Sequence, residues 1–225
     1  YAGHGWPNRR AKGRAPILLV RWHLARAGGH RQACGTPLGS APFLVKDGKP
    51  MCRWLAYSGP RLSLNMLLFE PENSLIRQSL AASNSVVPTN GDGFGLGWYD
   101  EYPEPGLFRD TVPAWNDTNL KSVARHIRSG LFFAHVRASS GSSTSRDNCH
   151  PFVNGSSMLM HNGSVGGYGK IRRDLEHLIP TDLYHARQGT TDTEAFFLLA
   201  LGHGLAEDPV AALARTTALI EDLMA

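Results

Sequence analysis

The residues with the clearest capacity for chemistry are three cysteines, Cys34, Cys52 and Cys149. Their number is odd, their spacing wide, and no CxxC pair occurs, which argues against a zinc ribbon or a disulfide-stapled secreted fold and for reduced thiols. A free cysteine is by default a small buried hydrophobe, and Cys149 takes that reading. Cys52 differs because it follows Met51. If Met51 is the initiator, its removal leaves cysteine as residue one, with a thiol and a free α-amine on adjacent carbons. An α-amine titrates at about pH 8, which suits a general base near neutral pH. One residue then supplies both nucleophile and base. Cys149-His150 with His161 could suggest a metal, but no fourth ligand stands at a useful spacing.

These side chains need elements to hold them. MCRWLAYSG (Met51 to Gly59) is an apolar run rich in strand formers, bounded by Ser58-Gly59-Pro60, and reads as the first strand of a domain. Ser74 to Ser83 reads as a short helix, and NGDGFGLGWYD (Asn90 to Asp100) as a turn with a strand whose glycines imply close backbone approach. Leu120, Val123, Ala124 and Ile127 recur at helical spacing; Leu131 to Ser139 and Ser157 to His161 read as strands, the second ending on Asn162-Gly163. Two helices follow, Thr193 to Leu205 with a stripe of Phe196, Phe197, Ala200 and Leu201, and Pro209 to Met224 with proline in its first turn. Strands in runs between helices predict an α+β domain. The chain stops just after a helix with no closing strand, so the domain is expected to be cut short at Ala225.

The whole chain has 225 residues and a net charge of +4, with 23 Lys and Arg against 19 Asp and Glu. Residues 1–50 hold nine of those bases and one acid, Asp47; from Met51 onward there are 14 bases and 18 acids. The basic character therefore belongs to the head alone. At 42% hydrophobic the chain can bury a full core, which excludes disordered, collagen-like and disulfide-scaffold classes. The head lacks a lasting apolar period. Its longest apolar run, Ala15 to Val20, falls short of the roughly 7 to 15 residues of a secretory signal. No segment reaches the roughly 18 apolar residues of a membrane span. Ser40 is the only serine in the head, which argues against a transit peptide. Residues 1–50 are thus expected to be an unstructured basic head: translation from a wrong start, a removable pro-segment, or a nucleic-acid-binding arm.

Six separated motifs occur in order: MCRWLAYSG, NGDGFGLGWY (Asn90 to Tyr99), AHVRASSG (Ala134 to Gly141), NCHPF (Asn148 to Phe152), HNG (His161 to Gly163) and TTDTE (Thr190 to Glu194). Together they resemble the class II glutamine amidotransferases, whose glutaminase domain starts with a catalytic cysteine. The small free-standing members are the most similar subgroup, among them the γ-glutamyl hydrolase of ergothioneine synthesis and the amidotransferase-like subunit of glutathione breakdown. The resemblance covers about residues 51–225. It implies a four-layer αββα sandwich of the N-terminal-nucleophile hydrolase type.

The resemblance also implies roles. Cys52 would attack the γ-amide carbonyl of glutamine or a γ-glutamyl compound and form a thioester that water hydrolyses. Asn162 and Gly163 match the family's oxyanion hole, Arg137 its carboxylate clamp, and Asp192 its ammonium clamp. Ser140 and His150 match further contacts to the glutamine. No metal and no other cofactor is called for. Each residue also has a plainer reading: Arg137 as a surface salt-bridge partner, Asp192 as a helix N-cap, Asn162-Gly163 as a hairpin turn. As written, Cys52 is internal and its nitrogen is an amide, so the resemblance implies activity only without residues 1–51. The competing reading is a silent binding or assembly subunit that keeps the fold. The expected setting is cytoplasmic, with no nucleic acid and no membrane as partners. Transfer of ammonia to a second substrate would need a separate partner subunit, ammonia-accepting or hydrolytic.

Overall fold

The computed structural model describes residues 52–80, 90–138 and 143–225, and the backbone of Ile17–Val20. In chain order the elements are β1 (Ile17–Val20), β2 (Arg53–Ser63), α1 (Asn65–Leu68), α2 (Leu75–Leu80), β3 (Phe94–Trp98), β4 (Gly106–Asp110), α3 (Thr118–His126), β5 (Arg128–Val136), β6 (Phe152–Asn154), β7 (Ser157–His161), α4 (Tyr168–His177), α5 (Thr181–Tyr184), α6 (Asp192–Gly202) and α7 (Pro209–Met224). An antiparallel sheet runs in the order β2-β5-β3-β4, and a second sheet in the order β1-β7-β6. The α+β expectation holds.

Alternation along the strands sorts the core. On β2 and β5, Leu55, Tyr57, Phe132, Ala134 and Val136 pack with α1, α2 and α3 through Leu64, Leu68, Ile76, Leu120 and Ala124. On the other face, Trp54, Ala56 and Phe133 pack against Met158 and Met160 of β7. Leu159, pointing the opposite way, joins Phe197, Ala200, Ala212 and Leu213 of α6 and α7. The glycine-dotted strand behaves as its sequence implies. Phe94 and Leu96 of β3 face the helices, while Gly95 and Gly97 face the second sheet. A Cβ on Gly95 would overlap the His150 carbonyl oxygen, and one on Gly97 the Met158 sulfur. The two sheets approach here because those side chains are missing.

Several expectations change. Ser58-Gly59-Pro60 does not end the first strand: β2 runs on to Ser63 through a register irregularity between Ser58 and Leu62. It is an edge strand, where proline and a bulge are tolerated. Within the head expected to be unstructured, Ile17–Val20 is a strand, parallel to β7 from Ile17 opposite Met158 to Val20 opposite His161. A short apolar run suffices to satisfy the backbone groups that an open edge presents. The α6 stripe is also not a stripe. Ala195, Phe197, Leu198, Leu199 and Ala200 are all buried because α6 lies between two clusters, one with α7 and one with α4. A helix covered on nearly every side loses its amphipathic signature. The helix expected from Ser74 is described as far as Leu80.

Candidate active site

The expected strand from Leu131 to Ser139 begins earlier, at Arg128, and ends at Val136, so Arg137 and Ala138 emerge from its tip. Register sets what meets them. Arg53 stands opposite Val136 and Trp54 opposite His135, so Cys52, just before β2, lies beside Arg137 on the neighbouring strand. Period-two alternation then puts Cys52, His135 and Arg137 on the face toward the second sheet. They line one cavity of about 630 Å³ together with His150, Gly163 and Asp192.

Cys52 Sγ rests on the backbone of Ala138. It accepts from the Ala138 N–H at 3.3 Å and donates toward the Ala138 carbonyl at 3.5 Å. Burial pushes its thiol pKa up, with the Ala138 hydrogen bonds and the Arg137 charge acting the other way. At rest the sulfur is a thiol. Arg137 is only 4% exposed, which removes the surface salt-bridge reading. Its guanidinium donates to the carbonyls of Asp92 at 3.4 Å and Ser143 at 3.1 Å.

Asn162 and Gly163 directly follow β7, and Gly163 holds φ at +155°. The hairpin reading fails for this pair: the turn between β6 and β7 lies at Gly155 and Ser156, before it. Asp192 is the first residue of α6, and the N-cap is Thr191, whose hydroxyl accepts from the Glu194 N–H at 3.2 Å. Asp192 instead accepts from the Val165 N–H at 2.6 Å and the Thr193 N–H at 2.7 Å. It thereby ties the loop after Gly163 to the start of α6. Ser140 lies outside the described residues.

His150 is buried with Nδ1 unpartnered, and its ring meets those of His135 at 4.5 Å and Phe152 at 4.9 Å. Burial, then the neighbouring His135, His161 and Arg137, hold it well below the usual imidazole range. His161 Nδ1 pairs with Thr193 Oγ1 at 3.0 Å. Cys149 is fully buried, and burial pushes its thiol up to about 11, in keeping with a packed hydrophobe. No group of three or more His, Cys, Asp or Glu among the described residues could hold a metal.

Sequence reasoning missed the supports. Asn148 donates to the Ser143 carbonyl at 2.9 Å and accepts from the Thr190 N–H at 2.8 Å, joining the segment after Arg137 to the TTDTE loop. Glu194 accepts from Gln188 N at 2.9 Å and Gly189 N at 2.7 Å. The pattern Thr191-x-x-Glu194 is a capping-box signature that could have found it, although here the carboxylate reaches past the cap to the preceding loop. His135 was missed as well, because a histidine within an apolar strand run reads as core.

A family model described as glutamine amidotransferases class-II matches residues 66–224. The chain belongs to the class II glutamine amidotransferases. The matched span includes Arg137, Asn162, Gly163 and Asp192, and begins after Cys52. The chain is 41% identical over 160 residues to the probable glutamine amidotransferase DUG3 of Saccharomyces cerevisiae, covering 67% of this chain and 45% of that protein. It is 34% identical over 117 residues to the gamma-glutamyl-hercynylcysteine sulfoxide hydrolase of Mycolicibacterium smegmatis, covering 51% and 52%. It thus spans about half the length of these curated relatives. A glutamine aminotransferase class-II domain protein from Silicibacter pomeroyi superposes with a TM-score of 0.58 at 40% identity, over 76% of this chain and 63% of that one. Among the described residues no helix is long and apolar enough to cross a membrane.

Proposed function

We propose that this protein hydrolyses γ-glutamyl amide bonds, with Cys52 as an N-terminal nucleophile once the residues before it are gone. The observation that carries the reading is convergence: a thiol, a buried guanidinium and Gly163, next to Asn162 in the chain, meet at one cavity. In this reading the Cys52 α-amine takes the thiol proton, and the sulfur attacks the γ-carbonyl. The oxyanion forms against Asn162 and the Gly163 N–H, each donor contributing about 3 to 4 kcal/mol. The proton then passes to the departing amine. Arg137 receives the α-carboxylate with a planar fork, and Asp192 the α-ammonium. Asp192 can do so while bonded to Val165 and Thr193, because two carboxylate oxygens offer about four acceptor sites. His150 and Ser140 make further substrate contacts.

The two sheets with helices on their outer faces are taken as the αββα sandwich of this hydrolase type. Reduced thiols support a cytoplasmic setting. A separate partner subunit would receive the ammonia if it is transferred.

The decisive experiment measures ammonia and glutamate release by protein begun at Met51, with mass spectrometry of its first residue and Cys52→Ala as control. Release that depends on Cys52 and on a cysteine terminus supports the reading; release by a protein whose terminus is still Tyr1 defeats it. The second reading, a silent binding or assembly subunit, is favoured by the amide linkage of Cys52 in the 225-residue sequence. It predicts no release from any γ-glutamyl compound.

A further inference from the structure

His135 stands on β5 opposite Trp54, on the face toward the second sheet. It is 2% exposed, yet neither ring nitrogen has a hydrogen-bond partner, and Nδ1 of the adjacent His150 has none either. Both rings line the cavity that holds Cys52 and Arg137. A buried polar group left unpaired costs about 1 to 3 kcal/mol, and three such atoms on two rings that line one cavity ask for a ligand. Phe133, two residues earlier on the same face, occupies an equivalent strand position with no such cost.

The chemistry of the three atoms narrows the ligand. Burial pushes His135 down to about 3, with Arg137 and His161 adding to the shift, and holds His150 low as well. Both rings are therefore neutral. A neutral imidazole carries one N–H donor and one lone-pair acceptor. Two such rings meeting edge-on offer both kinds of partner to a small molecule that is itself donor and acceptor. Water needs two to four polar partners to be held in an interior, and three are present.

We propose that His135, with His150, seats a water molecule beside Cys52, and that this water hydrolyses the thioester formed on that sulfur. The inference rests on the reading of Cys52 as the acylated nucleophile. In the step, the water oxygen bonds to the thioester carbonyl carbon and the carbon–sulfur bond breaks. The proton lost by the water goes to the sulfur, leaving a γ-carboxylic acid and the free thiol. His135 accepts one O–H of the water and so aims its oxygen lone pair.

The test follows γ-glutamyl-p-nitroanilide turnover by the full protein in the form it takes when isolated, alongside His135→Phe and His135→Asn. The burst of p-nitroaniline reports acylation, and the steady state reports hydrolysis. In His135→Phe a burst should be seen while the steady-state rate falls on the order of 100-fold, the scale of a misplaced reacting group. Hydroxylamine, a nucleophile that needs no seat, should restore turnover. His135→Asn, which keeps a donor and an acceptor, should recover part of the loss. Thermal unfolding of His135→Phe should be no earlier than that of the parent. The proposal is overturned if burst and steady state fall together, if the steady state is unchanged, or if hydroxylamine restores nothing. A parent protein that releases no p-nitroaniline at all would instead refute the acylation of Cys52, before any variant is compared.

Discussion

Arg137 tests how much of the site a single side chain carries. Its guanidinium spans two carbonyls from different segments, Asp92 and Ser143, and in the proposed reading still presents a fork to the substrate carboxylate. Arg137→Lys keeps the charge but cannot span the same partners. Losing a charge-assisted hydrogen bond costs about 1.5 to 3 kcal/mol. The variant should therefore bind glutamine or a γ-glutamyl compound about 10- to 100-fold more weakly, seen in KM more than in kcat because the carboxylate lies away from the reacting bond. Asp192 carries two functions that substitution can separate. Asp192→Asn keeps an acceptor for the Val165 N–H but loses the charge; Asp192→Ala loses both. The first should raise KM alone. The second should also lower kcat, because the loop after Gly163 loses its tie to α6, and steady-state kinetics on the pair measures that difference. The motifs around Cys52, Arg137 and Asp192 were legible in sequence because each is compact, and all three residues line one cavity. His135 was not, since its distinguishing property is the absence of partners, which only coordinates reveal.

Strand β3 makes the strongest demand among the elements. Gly95 and Gly97 both face the second sheet, but what an added methyl would meet differs. At Gly95 it is the backbone oxygen of His150; at Gly97 it is the Met158 thioether, with the Pro151 ring behind at 2.7 Å. A thioether can rotate away, whereas a backbone carbonyl cannot. Overpacking typically costs about 1 to 3 kcal/mol. Gly97→Ala should fall within that range, and Gly95→Ala at or above its upper end, with activity lost through displacement of His150. Urea midpoints of the two variants check the order; equal midpoints would mean that the loop before β6 yields freely. The sequence announced this contact through its glycines, because no other residue type permits such approach. It announced α4 poorly. In YGKIRRDLEH only Ile171 and Leu175 are buried, too few to set a period against the surrounding charge. The boundaries of β2 and β5 shifted for a related reason: pairing with a partner strand, not local composition, decided where each one ended.

The two buried imidazoles also govern how the folded chain as a whole responds to acid. An exposed histidine in the unfolded chain titrates at about 6.5, whereas in the native fold burial, helped by Arg137 and His161, holds His135 at about 3 and His150 well below its usual range. Between those limits the unfolded chain takes up protons that the native one refuses, so stability rises with pH there. The contribution is complete above about pH 6.5 and is lost as pH falls toward the native values, by up to about 1.4 kcal/mol per unit for each ring. The carboxylates act later. Asp110 is held low by its hydrogen bond to Arg146; for Glu176, burial pushes upward but Arg172 and Arg187 outweigh it, so both contributions fade only below the ordinary carboxylate range. From pH 6.5 to 5, then, the decline belongs to the histidines. Urea midpoints measured at pH 7.5, 6.5, 5.5 and 5.0 should be level between the first two and then drop steeply. His135→Phe should roughly halve the slope without lowering the plateau. A midpoint that stays flat down to pH 5 would mean that both rings take up their protons in the native fold, which would leave the cavity floor charged and no neutral acceptor beside Cys52.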